Sequence, residues 1–425
     1  MQNSLSKRSY QSIWHPFTQM QTAKPPIPIQ SGKGAILTDT NGNQYIDAIS
    51  SWWTNIHGHS HPYIAKKLAE QALQLEHVVF AGFTHQPAVK LAERLLQKLP
   101  DNFSKIFYSD NGSTAVEVAL KMAFQYWFNI GQKRTKVIAL HDAYHGDTFG
   151  SMSVSGRSPF NAPFNPFMFQ VEYLPAPSSV SEDEILNQLQ KIIYDNKNEI
   201  ACFIYEPLVM GAGGMLMYSP QLLDKLMGIC QQNNILCLAD EVMVGFYRTG
   251  KMFASNHTTN KPDLMALSKG LTGGTMALGV TACTAEIYNA FLSNDKMKTF
   301  FHGHSFTANP LACAVSNASM DLLEKPECEQ AIKRIENQHQ QFAEELKTHP
   351  KFENIRQQGT ILAMDVKSTE STSYFNNRRD AIYEYALNRG AILRPLGNTL
   401  YVLPPYCITE KQLQKVYEII KGINV

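Results

Sequence analysis

The strongest constraint on this chain is an alternation along its middle. Apolar, β-prone runs ("KIFYSD", "TKVIALHD", "EIACFIYEP", "NNILCLADE" and "DLMALSK") are separated by stretches with helical periodicity such as "TAVEVALKMAFQYWF". Runs without polar alternation suit strands buried on both faces, and a helix between two strands returns the chain to pair in parallel. The expectation is an α/β fold whose mostly parallel sheet is covered by helices. "AYHGDTFGSMS", after the second run, reads as one of those helices. Such sheets bind ligands outside the carboxyl ends of their strands, so the chemistry should stand just after the runs.

With 425 residues the chain exceeds what one small core organises. Residues 1–50 hold the proline-rich "TAKPPIPIQ" and a strand pair, "GAILTDTNGNQYIDA", turned at Asn41-Gly42; this segment is expected to pack with a small domain. Residues 51–310 read as the large domain that carries the sheet. From residue 311, helices such as "LACAVSNASMDLLEK" and "CEQAIKRIENQHQQFAEELKTH" lead to "GTILAMDV" and "GAILRPLGNTLYVLPPY". That is the pattern of a smaller α+β domain over 311–425 with a sheet of its own.

Charge excludes several roles. Lys plus Arg number 38 against 37 acidic residues, with no concentrated basic stripe, so no nucleic-acid partner is expected. The N-terminal stretch lacks the apolar run of a signal peptide and no run of about 18 apolar residues follows, which points to a cytoplasmic chain with no membrane partner. Seven scattered cysteines without a C-x-x-C pair suit reduced, buried thiols. In "ISSWWTNIHGHSHP" the alternation of His57, His59 and His61 would aim three imidazoles at one ion from a straight strand, but Gly58 and the His61-Pro62 step break such a strand. No metal is expected.

Three strand ends carry polar groups. After "KIFYSD", Asn111-Gly112-Ser113-Thr114 opens a helix: either an ordinary cap, or a turn whose glycine, hydroxyls and free N–H groups receive a phosphate. After "NILCLA" stands Asp240-Glu241, either a turn cap or an acid partnering a protonated pyridine nitrogen. After "DLMAL" stands Ser268-Lys269-Gly270, where the lysine either snorkels or, with its pKa lowered by burial, reacts with an aldehyde. The G-x-x-x-x-G-K-[ST] nucleotide loop is absent, and "GAGG" at 211–214 is no dinucleotide fingerprint. Phosphate cradle, aspartate and lysine, in that order in one α/β sheet, are together what pyridoxal 5'-phosphate requires.

At this point "LADEVMVGFYRTGKMFA" and "PDLMALSKGLTGG" resemble the signature of the class III pyridoxal-phosphate aminotransferases of fold type I, and the resemblance spans essentially the whole chain. It sharpens, through "WHPFTQM", "SSWW", "FAGFTHQPAV", "SKGLTGGTMALG" and "LRPLGNTLYVLPPY", towards the members that aminate 8-amino-7-oxononanoate in biotin synthesis. The resemblance implies that Lys269 carries the cofactor and shuttles the proton, Asp240 partners the pyridine nitrogen, Gly112 and Ser113 form the phosphate cup, and Tyr144 stacks on the ring. It implies that Ser305, where threonine is usual, serves the phosphate of a neighbouring subunit in a homodimer with shared sites. It places Trp52, and with it Trp53, on the aliphatic chain of the substrate, Arg394 on its carboxylate, and "GHSHP" in a turn. Three positions depart from the pattern. Phe17 replaces a tyrosine of the substrate site, which leaves the amino donor open between S-adenosylmethionine and lysine; Met210 stands for glutamine and Tyr247 for a common glycine. Rival readings are a class III ω-aminotransferase acting on ornithine, 4-aminobutyrate or β-alanine, and a non-catalytic pyridoxal-phosphate-binding regulator.

Overall fold

The computed structural model describes residues 5–196, 198–368, 376 and 378–424. A seven-stranded sheet crosses the protein in the order Phe103–Ser109, Gly279–Thr284, Leu264–Leu267, Leu236–Asp240, Ile200–Tyr205, Lys136–Leu140, Val171–Leu174. All five apolar runs are strands of this sheet. The last five strands in that order pair in parallel. Helices cover the sheet, so the expected α/β class holds. The helix Gly112–Asn129, apolar around most of its circumference, is buried along most of its length against the sheet.

Two strands were not legible as runs. Val171–Leu174 extends the parallel edge, while Gly279–Thr284 lies antiparallel between Leu264–Leu267 and Phe103–Ser109. The reason for the reversal is the short, glycine-rich link through Lys269–Thr272, which is too short for the crossover that a parallel return needs. The helix expected over "AYHGDTFGSMS" shrinks to Phe149–Val154. Gly146 has φ 130°, a conformation that no helix continues, and a Cβ there would stand 2.1 Å from Ser113 Oγ. Glu117 then fixes where the short helix begins, its Oε1 accepting from the N–H groups of Gly150 (2.7 Å) and Ser151 (3.1 Å).

The N-terminal strands Ile29–Lys33, Ile36–Asp39 and Gln44–Asp47 form an antiparallel meander. The C-terminal strands form a small sheet of their own, with one strand departing from it. Ala391–Ile392 leaves them to pair in parallel with Gln44–Asp47, and only Phe352–Gln358, Ile361–Val366 and Thr399–Val402 form the separate three-stranded sheet. That junction carries residues 391–394 to the segment that precedes Trp52. The helix Pro310–Leu323 packs on Pro62–Gln74 and Gln86–Lys98. Among the described residues no helix is long and apolar enough to cross a membrane.

Gly279 ties the sheet to the phosphate turn, because a Cβ there would meet the Asn111 carbonyl oxygen at 2.2 Å. Gly279→Ala is expected to destabilise the apoprotein by about 1–3 kcal/mol, read as a lower urea midpoint at unchanged slope.

Candidate active site

A cavity of about 710 Å³ opens at the carboxyl ends of the parallel strands, lined among others by Trp53, Gly112, Ser113, Tyr144, Asp240 and Lys269. Six residues singled out from widely separated stretches of sequence thus share one wall. Asp240 and Lys269 stand where strands stop, so these apolar runs end in polar side chains at the opening, while Gly112, Ser113 and Tyr144 follow in the loops just after strands.

The anion end is the start of the helix Gly112–Asn129. Asn111 caps it, its side chain accepting from Thr114 N–H while the Thr114 hydroxyl accepts from Asn111 N–H. The cap leaves the N–H groups of Gly112 and Ser113 without helical partners, directed outward with the positive end of the helix dipole. A Cβ on residue 112 would meet Val242 Cγ1 at 2.7 Å, so glycine is required for the turn to lie this close to Asp240-Glu241-Val242.

Asp240 is buried. Its Oδ1 accepts from Val242 N–H at 3.0 Å and its Oδ2 lies 2.7 Å from His145 Nδ1, whose own Nε2 is buried without a partner. His145, absent from the sequence reading, is the residue that orients the acid. Glu206 is a second unpredicted member: its carboxylate accepts from the N–H groups of Tyr144 (3.0 Å) and Gly211 (2.9 Å), and burial pushes its pKa up to about 7. Glu241, adjacent to Asp240, turns away to cap the segment at Ala254 and Ser255 and is likewise pushed up to about 7 by burial.

Lys269 lines the cavity, half-buried by surface yet deep within the protein. That depth lowers its ammonium pKa below the ordinary lysine value, against the opposing pull of Asp240 and Glu206. Its Nζ stands 4.7 Å from the centre of the Trp53 ring. Lys269 itself has φ 45°, a left-handed backbone that a non-glycine residue holds only under constraint. Burial also raises the Tyr144 hydroxyl, so this ring faces the cavity as a neutral phenol.

The two tryptophans part company: Trp53 lines the cavity and Trp52 lies outside that lining. Trp53 is buried between Lys269 and Tyr401 (ring centres 6.1 Å apart), whereas Trp52 lies outward with the Arg394 guanidinium 4.3 Å above its ring. Phe17 meets Trp52 edge-on at 5.4 Å and Phe160 at 6.2 Å. The three histidines disperse: His57 bonds Ser319 Oγ, His59 bonds Asp47 and His61 precedes the helix that starts at Pro62. Ser305 is exposed and lies outside the lining of its own chain's cavity. Met210 is buried in a short strand, and nothing in the structure explains it further. Tyr247 has φ 73°, the physical reason why glycine suits that position.

These residues fit pyridoxal phosphate. Open N–H groups at a helix start suit a dianion, a buried carboxylate suits a pyridinium, and an amine held below its normal pKa suits an aldehyde. Without the cofactor, Glu206 makes stability pH-dependent. Its folded pKa is raised, so its contribution is present below pH ~4.5 and is lost as pH rises through about 7, a difference of about 3 kcal/mol. Glu206→Gln is expected to flatten that share of the fall in apoprotein melting temperature between pH 5 and 8.

The family model for "Aminotransferase class-III" matches residues 17–423. The adenosylmethionine-8-amino-7-oxononanoate aminotransferase of Synechococcus elongatus is 47% identical over 421 residues, covering 98% of this chain and 99% of that one. The crystal structure of the same-named enzyme from Methanocaldococcus jannaschii superposes with a TM-score of 0.93 at 35% identity, covering 99% of each chain. An amine transaminase from an uncultivated Pseudomonas species, solved in its PLP-bound form, has a TM-score of 0.89 at 27% identity, covering 97% of this chain and 98% of that one.

Proposed function

We propose, since this chain belongs to the class-III aminotransferase family, that it transfers an amino group to 8-amino-7-oxononanoate, giving 7,8-diaminononanoate for biotin synthesis, with pyridoxal 5'-phosphate as cofactor and S-adenosylmethionine as donor. The observation that carries the substrate assignment is the pairing of Arg394 with Trp52, because a long-chain amino-keto acid needs an apolar wall with a cation at its far end. Among the described residues no acidic side chain forms an ion pair with that arginine, which leaves its charge for a carboxylate.

When bound, pyridoxal phosphate supplies the carbonyl that takes up the donor nitrogen and the ring that accepts electrons when the carbon–hydrogen bond breaks. The chain does the rest. The N–H groups of Gly112 and Ser113, with the Ser113 hydroxyl, hold the phosphate, and Tyr144 covers one face of the ring. Asp240, oriented by His145, accepts the pyridine N–H and keeps that nitrogen protonated. Lys269 Nζ holds the cofactor at rest, then takes the proton from the donor carbon and returns it on the other side of the reaction. Trp52 and Trp53 bury the alkyl chain, and Arg394 pairs with the carboxylate.

We read the active form as a cytoplasmic homodimer, with Ser305 of each chain reaching the phosphate held by the other. In this reading 51–310 is the cofactor-binding part, and 311–425 with 1–50 closes the substrate end. Phe17 offers the donor an aromatic edge and no hydroxyl; that observation favours testing lysine beside S-adenosylmethionine.

The test is the half-reaction run backwards. Adding 7,8-diaminononanoate to the holoenzyme should convert the cofactor's visible spectrum from the pyridoxal to the pyridoxamine form; conversion by ornithine or 4-aminobutyrate alone would sink the assignment. Lys269→Ala is expected to abolish turnover. Arg394→Ala should lower kcat/KM for the amino-ketone by about 2 kcal/mol, roughly thirtyfold, with little effect on the donor half-reaction.

A further inference from the structure

Ser50, Ser51, Trp52 and Trp53 form a left-handed turn, with φ of 52°, 47°, 78° and 73°. L-residues visit this region singly, and four in a row persist only where the surroundings over-determine them. We propose that Asp47 and Arg248 are positioning residues that grip this turn at its two ends and thereby set the two indoles, Trp53 in the cavity and Trp52 against Arg394. The inference rests on the reading of Trp52 and Trp53 as the substrate wall.

The grip at the amide end is a buried carboxylate. Asp47 Oδ1 accepts from the N–H groups of Ile49 (3.2 Å) and Ser51 (3.0 Å), and Oδ2 accepts from the Ser51 hydroxyl at 2.7 Å. His59 completes it with Nε2 at 2.9 Å from Oδ2. Asn55 Nδ2 lies 3.2 Å from His59 Nδ1, an arrangement in which Nδ1 accepts and Nε2 carries the hydrogen given to Asp47. One histidine of the alternating trio therefore supports the turn from behind.

At the carbonyl end stands Arg248, 1% exposed. Its Nη2 donates to the carbonyls of Trp53 (3.4 Å) and Asn55 (3.5 Å), and its Nη1 to that of Pro404 at 2.9 Å. No acidic side chain among the described residues forms an ion pair with it; carbonyl dipoles and the Tyr406 ring, 5.2 Å away, meet its charge. The signs match the ends, an anion on N–H groups and a cation on carbonyls. Ser50 adds a third tether, donating its hydroxyl to Leu403 O at 2.8 Å. Between these ends the turn sends Trp53 to Lys269 and Trp52 to Arg394.

Asp47→Asn and Arg248→Lys holoenzymes test this by steady-state kinetics and near-ultraviolet circular dichroism. A positioning role predicts that KM for 8-amino-7-oxononanoate rises about tenfold while kcat changes less than about threefold, and that the indole bands weaken. Ser51→Gly, which relieves the left-handed cost, should recover most of the KM in the Asp47→Asn background. A lower melting temperature with unchanged KM and unchanged indole bands in both variants overturns the inference, as does a KM defect that Ser51→Gly leaves in place. If Asp47→Asn does not fold, Arg248→Lys carries the test. Wild-type enzyme that never aminates the amino-ketone would sink the functional assignment instead, and the indole bands, which need no turnover, would still decide the inference.

Discussion

Burial of charge at the edge of an apolar sheet is the constraint on which this protein's site depends. Asp240, Glu206 and Lys269 stand at strand ends around one cavity, where a lone charge is costly unless it is neutralised or met by hydrogen bonds. Each carboxylate is met: Asp240 by His145 and the Val242 N–H, Glu206 by the N–H groups of Tyr144 and Gly211. The lysine is compensated least, and its lowered pKa follows from burial outweighing the two acids. An amine of lowered pKa next to an ordered acid is a reactive arrangement produced by the same forces that shape the core.

On the proposed function, chemistry and selectivity come from different parts of the chain. The groups suited to a cofactor project from the seven-stranded sheet, whereas Phe17, Trp52 and Arg394 converge through the parallel pairing of Gln44–Asp47 with Ala391–Ile392. In that reading, substrate-contacting residues on a separate junction can vary without disturbing the acid, the amine and the phosphate turn. The cost of that junction is backbone strain. Four successive left-handed residues at about 1–3 kcal/mol each must be repaid by Asp47, Arg248 and Ser50.

Much of this was readable before any coordinates. The five apolar runs became strands because their burial on both faces is written into composition, and Asn111, Asp240 and Lys269 were conspicuous because a polar residue ending such a run needs a reason. The helix that shrank to Phe149–Val154 was misread because Gly146 and the Glu117 contacts override a helical pattern. Gly279–Thr284 escaped notice as a strand because it follows a glycine-rich link with no helical return. His145 and Glu206 carried no local signal, since their worth lies in which atom they face.

The sequence by itself determined the α/β alternation, the strand-end acid and amine, the capped helix start and the family pattern, because each is a property of neighbouring residues. Only the tertiary structure decided that Ala391–Ile392 joins the N-terminal strands, that His145 orients Asp240, and that Asp47 and Arg248 hold the tryptophan turn. Those pairings link residues far apart in the chain, and such a partner is chosen by packing and by the need to satisfy buried polar atoms, which no local pattern encodes.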